Sequence, residues 1–515
     1  MNLAKNLSVI AVAVAASQAA LLGGEAGLPN FTETTFEAGI ATPTGVLFPG
    51  PSWGDYNRDG CADLFLPAPE GSKLYVSDCT GGFELSEHND AVAMPNGGSR
   101  GSAFADYNND GWPDLYVASA ATSYLFRNEG GQGFTEVAAA AGVADPRPNY
   151  GIGWADYDRD GDLDLFVGSY HYGVDEPDRR DTIYRNNGDE TFTDVSHLFE
   201  PADQLLGPNL AVRWVDYDND DDLDLYIIND RDYKNVLWRN DGAGCAEWCW
   251  TDVSAATGAD IAVQGMGIDA GDYDQDGDLD LWFSSIGEAV LLRNEIAQGQ
   301  EKFTDVSIEA GVTREEASWS ALFWDYDNDG WDDLLLAISN QEVGSRVFKN
   351  NRDGTFADVS DGSGLDTPAI NMGIALADYD LDGKVEPIFG RRGDGYFLYH
   401  NETTTDHGWL VVTVEGTGTI NRDGIGTKIY LTTSDGRTQY KDVKSGNGFC
   451  SGGDAAVHFG LGDASIDSLK LVWPDGSIEI YDNVASNQVR HFVFGQLFVD
   501  GFETGDSSQW SSTLP

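Results

Sequence analysis

The sequence predicts an all-β protein, a seven-bladed β-propeller followed by a small antiparallel β domain. Three observations predict it. An aspartate-rich phrase returns seven times, an aromatic-threonine-acid phrase also occurs seven times, and each period between copies has room for four short strands.

The first phrase reads Asp-Tyr-Asn-Arg-Asp-Gly-Cys-Ala-Asp-Leu at 55–64, and its copies begin at Asp106, Asp156, Asp216, Asp272, Asp325 and Asp378. The steps between first aspartates are 51, 50, 60, 56, 53 and 53 residues, the period of a propeller blade or a solenoid turn. Within one period, Gly151–Ala155, Leu163–Val167, Thr182–Arg185 and Phe192–Val195 read as strands. They are rich in β-favouring types and are separated by turn residues such as Asn-Asn-Gly. Four short strands per period is the pattern of a blade.

The second phrase is Phe192-Thr193-Asp194-Val195 and its counterparts at Trp250, Phe303 and Phe356, with looser copies at Phe31, Phe83 and Phe134. After the last aspartate-rich loop no such phrase follows, and the spare copy is Phe31-Thr32-Glu33-Thr34. The N-terminal segment is therefore expected to complete the last blade, closing the ring and removing two sheet edges. The propeller is read as 31–401.

The aspartate-rich loop has the ligand logic of a calcium site. Side-chain oxygens stand at positions 1, 3, 5 and 9, glycine makes the turn at position 6, and a carbonyl is available at position 7. The candidate ligands are Asp55, Asn57, Asp59 and Asp63; Asp106, Asn108, Asp110 and Asp114; Asp156, Asp158, Asp160 and Asp164; Asp216, Asp218, Asp220 and Asp224; Asp272, Asp274, Asp276 and Asp280; Asp325, Asp327, Asp329 and Asp333; and Asp378, Asp380, Asp382 and Glu386. Asx-rich turns form without metal. Seven clusters of three or four carboxylates, however, repel by several kcal/mol unless cations sit among them. Up to seven Ca2+ ions are expected. Loops one and two carry one charge fewer, through Asn57 and Asn108. Loop four has Asp221 where glycine is expected, and loop seven departs most, with Leu381, Lys384 and Glu386-Pro387; if one site is empty, it is that one. The tyrosine at position 2 of every loop is expected to pack between blades.

The chain has 515 residues with 30 basic and 86 acidic side chains, a net charge of −56. That excludes nucleic-acid binding through a basic footprint, and anionic membrane surfaces repel it. Residues 1–20 read as an export signal: Lys5, an apolar run from Leu7 to Ala16, and small residues around Ala19. The mature protein is expected to be secreted or held at the cell surface, without membrane insertion. In that compartment Cys61–Cys79 and Cys245–Cys249 are the pairs expected on local grounds, which leaves Cys450 over.

After Asn401 the repeat stops. Strands at 409–414, 428–432 and 438–443, with Val457–Gly462 and Leu469–Gly476, predict a compact β unit over 408–492. The seven loops resemble FG-GAP or VCBS-type repeats, as in integrin-like propellers. Residues Asn421–Gly426, Ser445–Phe449, His458–Gly462 and Val472–Gly476 resemble the ASPIC/UnbV domain. The combination is similar to the bacterial branch of the cartilage acidic protein family, over roughly 31–492. The resemblance implies an extracellular calcium-binding protein without an established reaction. Cys450 departs from the small polar residue expected after Phe449. The tail, 497–515, is acidic and aromatic and resembles tails on other exported bacterial proteins, which suggests a sorting signal.

No catalytic constellation stands out. Gly97-Gly98-Ser99-Arg100-Gly101 fits G-x-S-x-G, but a nucleophile elbow needs a strand before it and a helix after it, and this is a glycine-rich entry to a strand. His458 lies within an apolar strand and reads as a satisfied core residue. Arg392-Gly393-Asp394 reads as a turn. The expected role is an extracellular binding, adhesion or interaction module with a protein or glycan partner. The alternative is a calcium-dependent polysaccharide lyase or hydrolase with its site at the channel mouth. The loops holding Tyr170, His171 and Tyr172, Asp175 to Asp181, and Asn229 to Asn235 are the candidates for ligand contact.

Overall fold

The computed structural model describes residues 27–94, 98–170, 180–199, 205, 207–446 and 448–495. The export segment 1–20, the tail 497–515 and the loop stretch containing His171, Tyr172 and Asp175 lie outside the described residues. Among those described, no helix is long and apolar enough to cross a membrane.

The first part is a ring of seven four-stranded antiparallel blades. In the third, the inner strand Asn149–Ala155 pairs with Asp164–Ser169, which pairs with Thr182–Asn186 and then with the outer strand Phe192–Asp194. Leu165 and Val167 join a core shared with the preceding blade, while Phe166 and Ile183 join one shared with the following blade. A strand buried on both faces needs apolar residues on both, so Leu-Phe-Val runs without polar alternation.

The ring closes through the N-terminal strand. Phe31–Glu33 pairs with Gly395–Asn401, setting Phe31 opposite Asn401 and Glu33 opposite Tyr399. The loop tyrosines show the same closure. Tyr56 meets Phe134, Tyr107 meets Phe192, Tyr157 meets Trp250, Tyr217 meets Phe303, Tyr273 meets Phe356, Tyr326 meets Phe31 and Tyr379 meets Phe83, with ring centroids 5.5–6.5 Å apart. Each tyrosine thus packs on the outer-strand aromatic of the next blade, and the sixth and seventh contacts close the circle.

A second latch accompanies the first. Asn128, Asn186, Asn240, Asn294, Asn350 and Asn401 donate Nδ2 to the carbonyls of Tyr56, Tyr107, Tyr157, Tyr217, Tyr273 and Tyr326 in the preceding blade, at 2.7–2.9 Å. These asparagines are buried, so the bonds satisfy carbonyls that water cannot reach. Disulfides link Cys61 to Cys79 and Cys245 to Cys249, while Cys450 is free and buried.

The C-terminal unit consists of two sheets. One is ordered Thr438–Asp442, Lys428–Thr433, Ile466–Val472, Ile478–Asp482; the other places Gly408–Glu415 between Val457–Gly462 and Gln488–Val493. The pairing is antiparallel except between Gly408–Glu415 and Gln488–Val493. Leu410, Val412, Ile429, Leu431, Phe459, Leu469 and Trp473 form its core, continuous with that of blades two and three.

This unit sits on the face of the ring that carries the aspartate loops, and it sends residues 444–446 and 448–455 into the central channel. Ser445 bridges Trp154, Gly448 bridges Ile268 and Gly452 bridges Ser52, all on inner strands. Gly448 N donates to Ile268 O at 2.7 Å, and Trp53 N donates to Gly452 O at 3.1 Å. Phe449, fully buried, packs edge-on against Trp319 at 4.8 Å. The approach is too close for a side chain. A Cβ on Gly267 would stand 2.8 Å from the backbone of Gly448 and Phe449.

Candidate metal centre

Each aspartate loop joins the inner strand of a blade to the second strand. In loop three, Asp156 accepts from the amides of Asp160 and Gly161, both at 3.0 Å, and Asp160 accepts from Asp162 N at 3.0 Å. Asp164 opens the second strand and accepts from Asn186 N at 2.8 Å and Tyr157 N at 3.2 Å. Two residues take the left-handed conformation, Arg159 at position 4 (φ 57°) and Gly161 at position 6 (φ 94°). Position 4 is left-handed in every loop, at Arg58, Asn109, Asn219, Gln275, Asn328 and Leu381 as well. The sequence reading assigned that conformation only to position 6, because arginine and leucine carry no turn signal.

The carboxylates converge. Ligand oxygens of Asp156, Asp158 and Asp164 lie within 4.8 Å of one another, as do those of Asp216, Asp218 and Asp224, and those of Asp272, Asp274 and Asp276. Unit charges 4 Å apart repel by about 4 kcal/mol at an effective dielectric near 20. Several oxygens are buried without any hydrogen-bond partner: Oδ1 of Asp158, Asp218, Asp274 and Asp378, Oδ2 of Asp63, Asp114, Asp327 and Asp333, and both carboxylate oxygens of Glu386. Burial, joined by repulsion between neighbours, pushes Asp63 and Asp156 up to about 8 and Asp158 and Asp274 up to about 6. Asp114, Asp164, Asp224 and Asp280 are also pushed well above the usual carboxylate range, mainly by burial. An unpaired buried carboxylate is costly, and a hard cation among these oxygens would remove the cost. The donor set therefore fits calcium: oxygens at positions 1, 3, 5 and 9 and the carbonyl at position 7.

The loops are not equivalent. In loops one and two Asn57 and Asn108 bond to Asp59 and Asp110, donating Nδ2 at 3.0 and 3.1 Å. In loop four Asp221 takes φ 78° and accepts from Lys428 Nζ of the C-terminal unit at 2.6 Å; Lys428 also pairs with Asp216. In loop six Lys349 Nζ bonds to Asp327 and Asp329, both at 2.6 Å, where Asp325 and Asp333 complete the carboxylate set. In loop seven His400 Nδ1 stands 3.4 Å from Asp380 and 3.9 Å from Glu386, with Asp378 and Asp382 at positions 1 and 5. In loops four and five Asp220 and Asp276 accept at position 5 from the amides of Asp222 and Asp278, and Asp272 opens loop five.

The C-terminal unit touches the same ring. Asp423 accepts from Asp106 N at 2.7 Å, Lys441 donates to Asp332 at 2.7 Å, and His458 Nε2 lies 3.1 Å from the Gly383 carbonyl. Burial lowers His458 to about 3, so it is neutral. Arg213, on an inner strand, grips both oxygens of Asp442 at 2.6 Å. A cavity of about 620 Å³ remains between the unit and the ring. Nothing in the phrase repeats signals these contacts.

Five stretches match the FG-GAP-like repeat model: 55–117, 106–167, 172–227, 216–283 and 325–388. Together they cover more than half of the 515 residues and all seven loops. The chain belongs to the FG-GAP-like repeat family. Residues 416–496 of this FG-GAP-like protein match the ASPIC and UnbV model. The chain is also similar to cartilage acidic protein 1 of Mus musculus and of Homo sapiens, at 22% identity over 76% of its length in each case. These matches reach 64% and 62% of those relatives, so the chain spans just under two thirds of their length. Among solved structures it is similar to an Agrocybe aegerita lectin at 16% identity, covering 66% of this chain and 84% of that one with a TM-score of 0.38.

Proposed function

We propose that this FG-GAP-like protein is an exported calcium-binding propeller that acts as an extracellular interaction module, with calcium stabilising the blades. One observation carries the calcium reading: in each of loops one to five a buried carboxylate oxygen at position 3 or 9 has no hydrogen-bond partner. Each ion bound by the folded loops and not by the unfolded chain adds RT ln(1 + [L]/Kd) to stability.

The partner is an extracellular protein or glycan. The C-terminal unit covers the loop face and leaves the opposite mouth for it. There Phe48, Arg100 and Trp319, part-exposed, surround the buried Tyr150 and the Phe449 that plugs the channel, with the Arg100 guanidinium 3.9 Å from the Tyr150 ring centre. Binding rather than turnover is the role the chemistry supports. Ser99 Oγ lies 3.2 Å from Ser72 Oγ and 3.4 Å from the Ala68 carbonyl, on a strand and not on an elbow.

The test is metal analysis of the purified protein beside its melting curve. Several equivalents of calcium and a large drop in melting temperature on adding EDTA are expected. A metal-free protein that melts at the same temperature in EDTA would sink the reading.

A further inference from the structure

The residue just before each latch asparagine sits on the third strand of its blade, beside the carboxylates of its own loop. In blades two, four and five it is Arg127, Arg239 or Arg293, and the guanidinium turns outward. Arg127 bonds to Glu190 at 2.6 Å, Arg239 to Asp241 at 2.8 Å and Arg293 to Glu295 at 2.7 Å. In blade six the same register position is Lys349, opposite Ala357 on the outer strand rather than opposite a threonine. The residue two positions on is Asn351, so the outward carboxylate supplied by Glu129, Asp241 and Glu295 is missing.

Lys349 turns inward instead. Its ammonium stands 2.6 Å from Asp327, 2.6 Å from Asp329 and 3.5 Å from Asp333, and the side chain is 8% exposed. Arg352 adds a bond to Asp329 at 2.8 Å. Calcium in this loop would need the same oxygens at about 2.3–2.6 Å. A divalent ion and an ammonium cannot share them, because the two cations would stand within a few ångströms at low dielectric.

We propose that Lys349 is the resident cation of the sixth loop, which holds its shape without calcium. The inference rests on the calcium reading of the other loops. It assigns this loop a different task, a metal-independent seat for the C-terminal unit. The seat is visible in the backbone. The Asp327 carbonyl lies 2.9 Å from His407 Nδ1, Asn328 O accepts from Gly462 N at 2.8 Å, and Asp329 O accepts from Arg437 at 3.2 Å. A loop filled by a tethered side chain keeps these carbonyls in place at any calcium level.

The experiment counts calcium bound to the full chain by equilibrium dialysis at saturating calcium, with circular dichroism to check folding. Asp158→Ala, in loop three, is expected to lose one equivalent. Asp327→Ala, the same position in loop six, is expected to lose none, and Lys349→Met to gain one. Loss of an equivalent in Asp327→Ala, or a folded Lys349→Met with the wild-type count, overturns the proposal. If Lys349→Met does not fold, Asp327→Ala decides alone. If Asp158→Ala keeps every equivalent, the calcium reading of loop three fails, an outcome separate from the fate of loop six.

Discussion

Replacing Phe31 by alanine tests the closure of the ring. Phe31 is 4% exposed, stacks on Trp324 at 5.3 Å and tilts against Tyr326 at 6.5 Å. Its strand is held to the seventh blade by only three register pairs. Truncating a buried phenylalanine costs about 3–5 kcal/mol, of which the stacked pair supplies roughly 1 kcal/mol. Phe83→Ala serves as the control. Phe83 fills the equivalent place in blade one, 5.7 Å from Tyr379 and 5% exposed, well inside the chain. Both variants should lower the urea midpoint by the same amount with unchanged slope. If Phe83→Ala shows the full cost and Phe31→Ala less than about 1 kcal/mol, the terminal strand does not close the ring.

Three further outcomes follow from the same geometry. In calcium-free protein the folded Asp63 and Asp156 hold protons up to about pH 8, whereas in the unfolded chain they lose them near the ordinary value of 3.8. The folded state therefore binds more protons between those limits, and its stability falls as pH rises through that window. Saturating calcium should abolish the fall and release protons on binding at neutral pH; a flat metal-free profile in denaturation from pH 5 to 8 would contradict this. Asn294→Ala leaves the buried Tyr217 carbonyl, now bonded at 2.7 Å, without its donor, and should cost about 1–3 kcal/mol in the same urea assay. Asp442→Leu removes the bidentate partner of the buried Arg213 at the base of the C-terminal unit and leaves it Asp269 at 3.9 Å. It should cost about 3 kcal/mol or more and make that unit the first site of cleavage in limited proteolysis.

The repeat carried most of the fold. Seven Asp-Tyr phrases and seven aromatic phrases, one of them displaced to Phe31, were enough to read four strands per blade and the strand that completes the last one. Those features are local: a turn needs its glycine, a doubly buried strand needs its apolar run, and neither depends on distant residues. The loop carboxylates were legible for the same reason, since all of a loop's acids lie within nine positions of one another. The inequality of the loops was only half legible. Asp221 stood out as a misplaced residue, but its partner Lys428 lies 207 positions away. The role of Lys349 is not legible at all, because sequence does not say whether a side chain turns out to solvent or in among aspartates.

The sequence alone determined the all-β ring, its seven members, the order of its strands and the clusters of acid, because each follows from short-range periodicity and turn chemistry. That the C-terminal unit sits on the loop face and fills the channel with Phe449 and its flanking glycines emerges from the folded chain and has no signal in the repeat. The tertiary structure alone decided which loops face a lysine. Lys428 reaches its aspartates from 207 positions away and Lys349 from within its own blade, and the energy of both contacts comes from burial and charge pairing that exist only once the chain has folded.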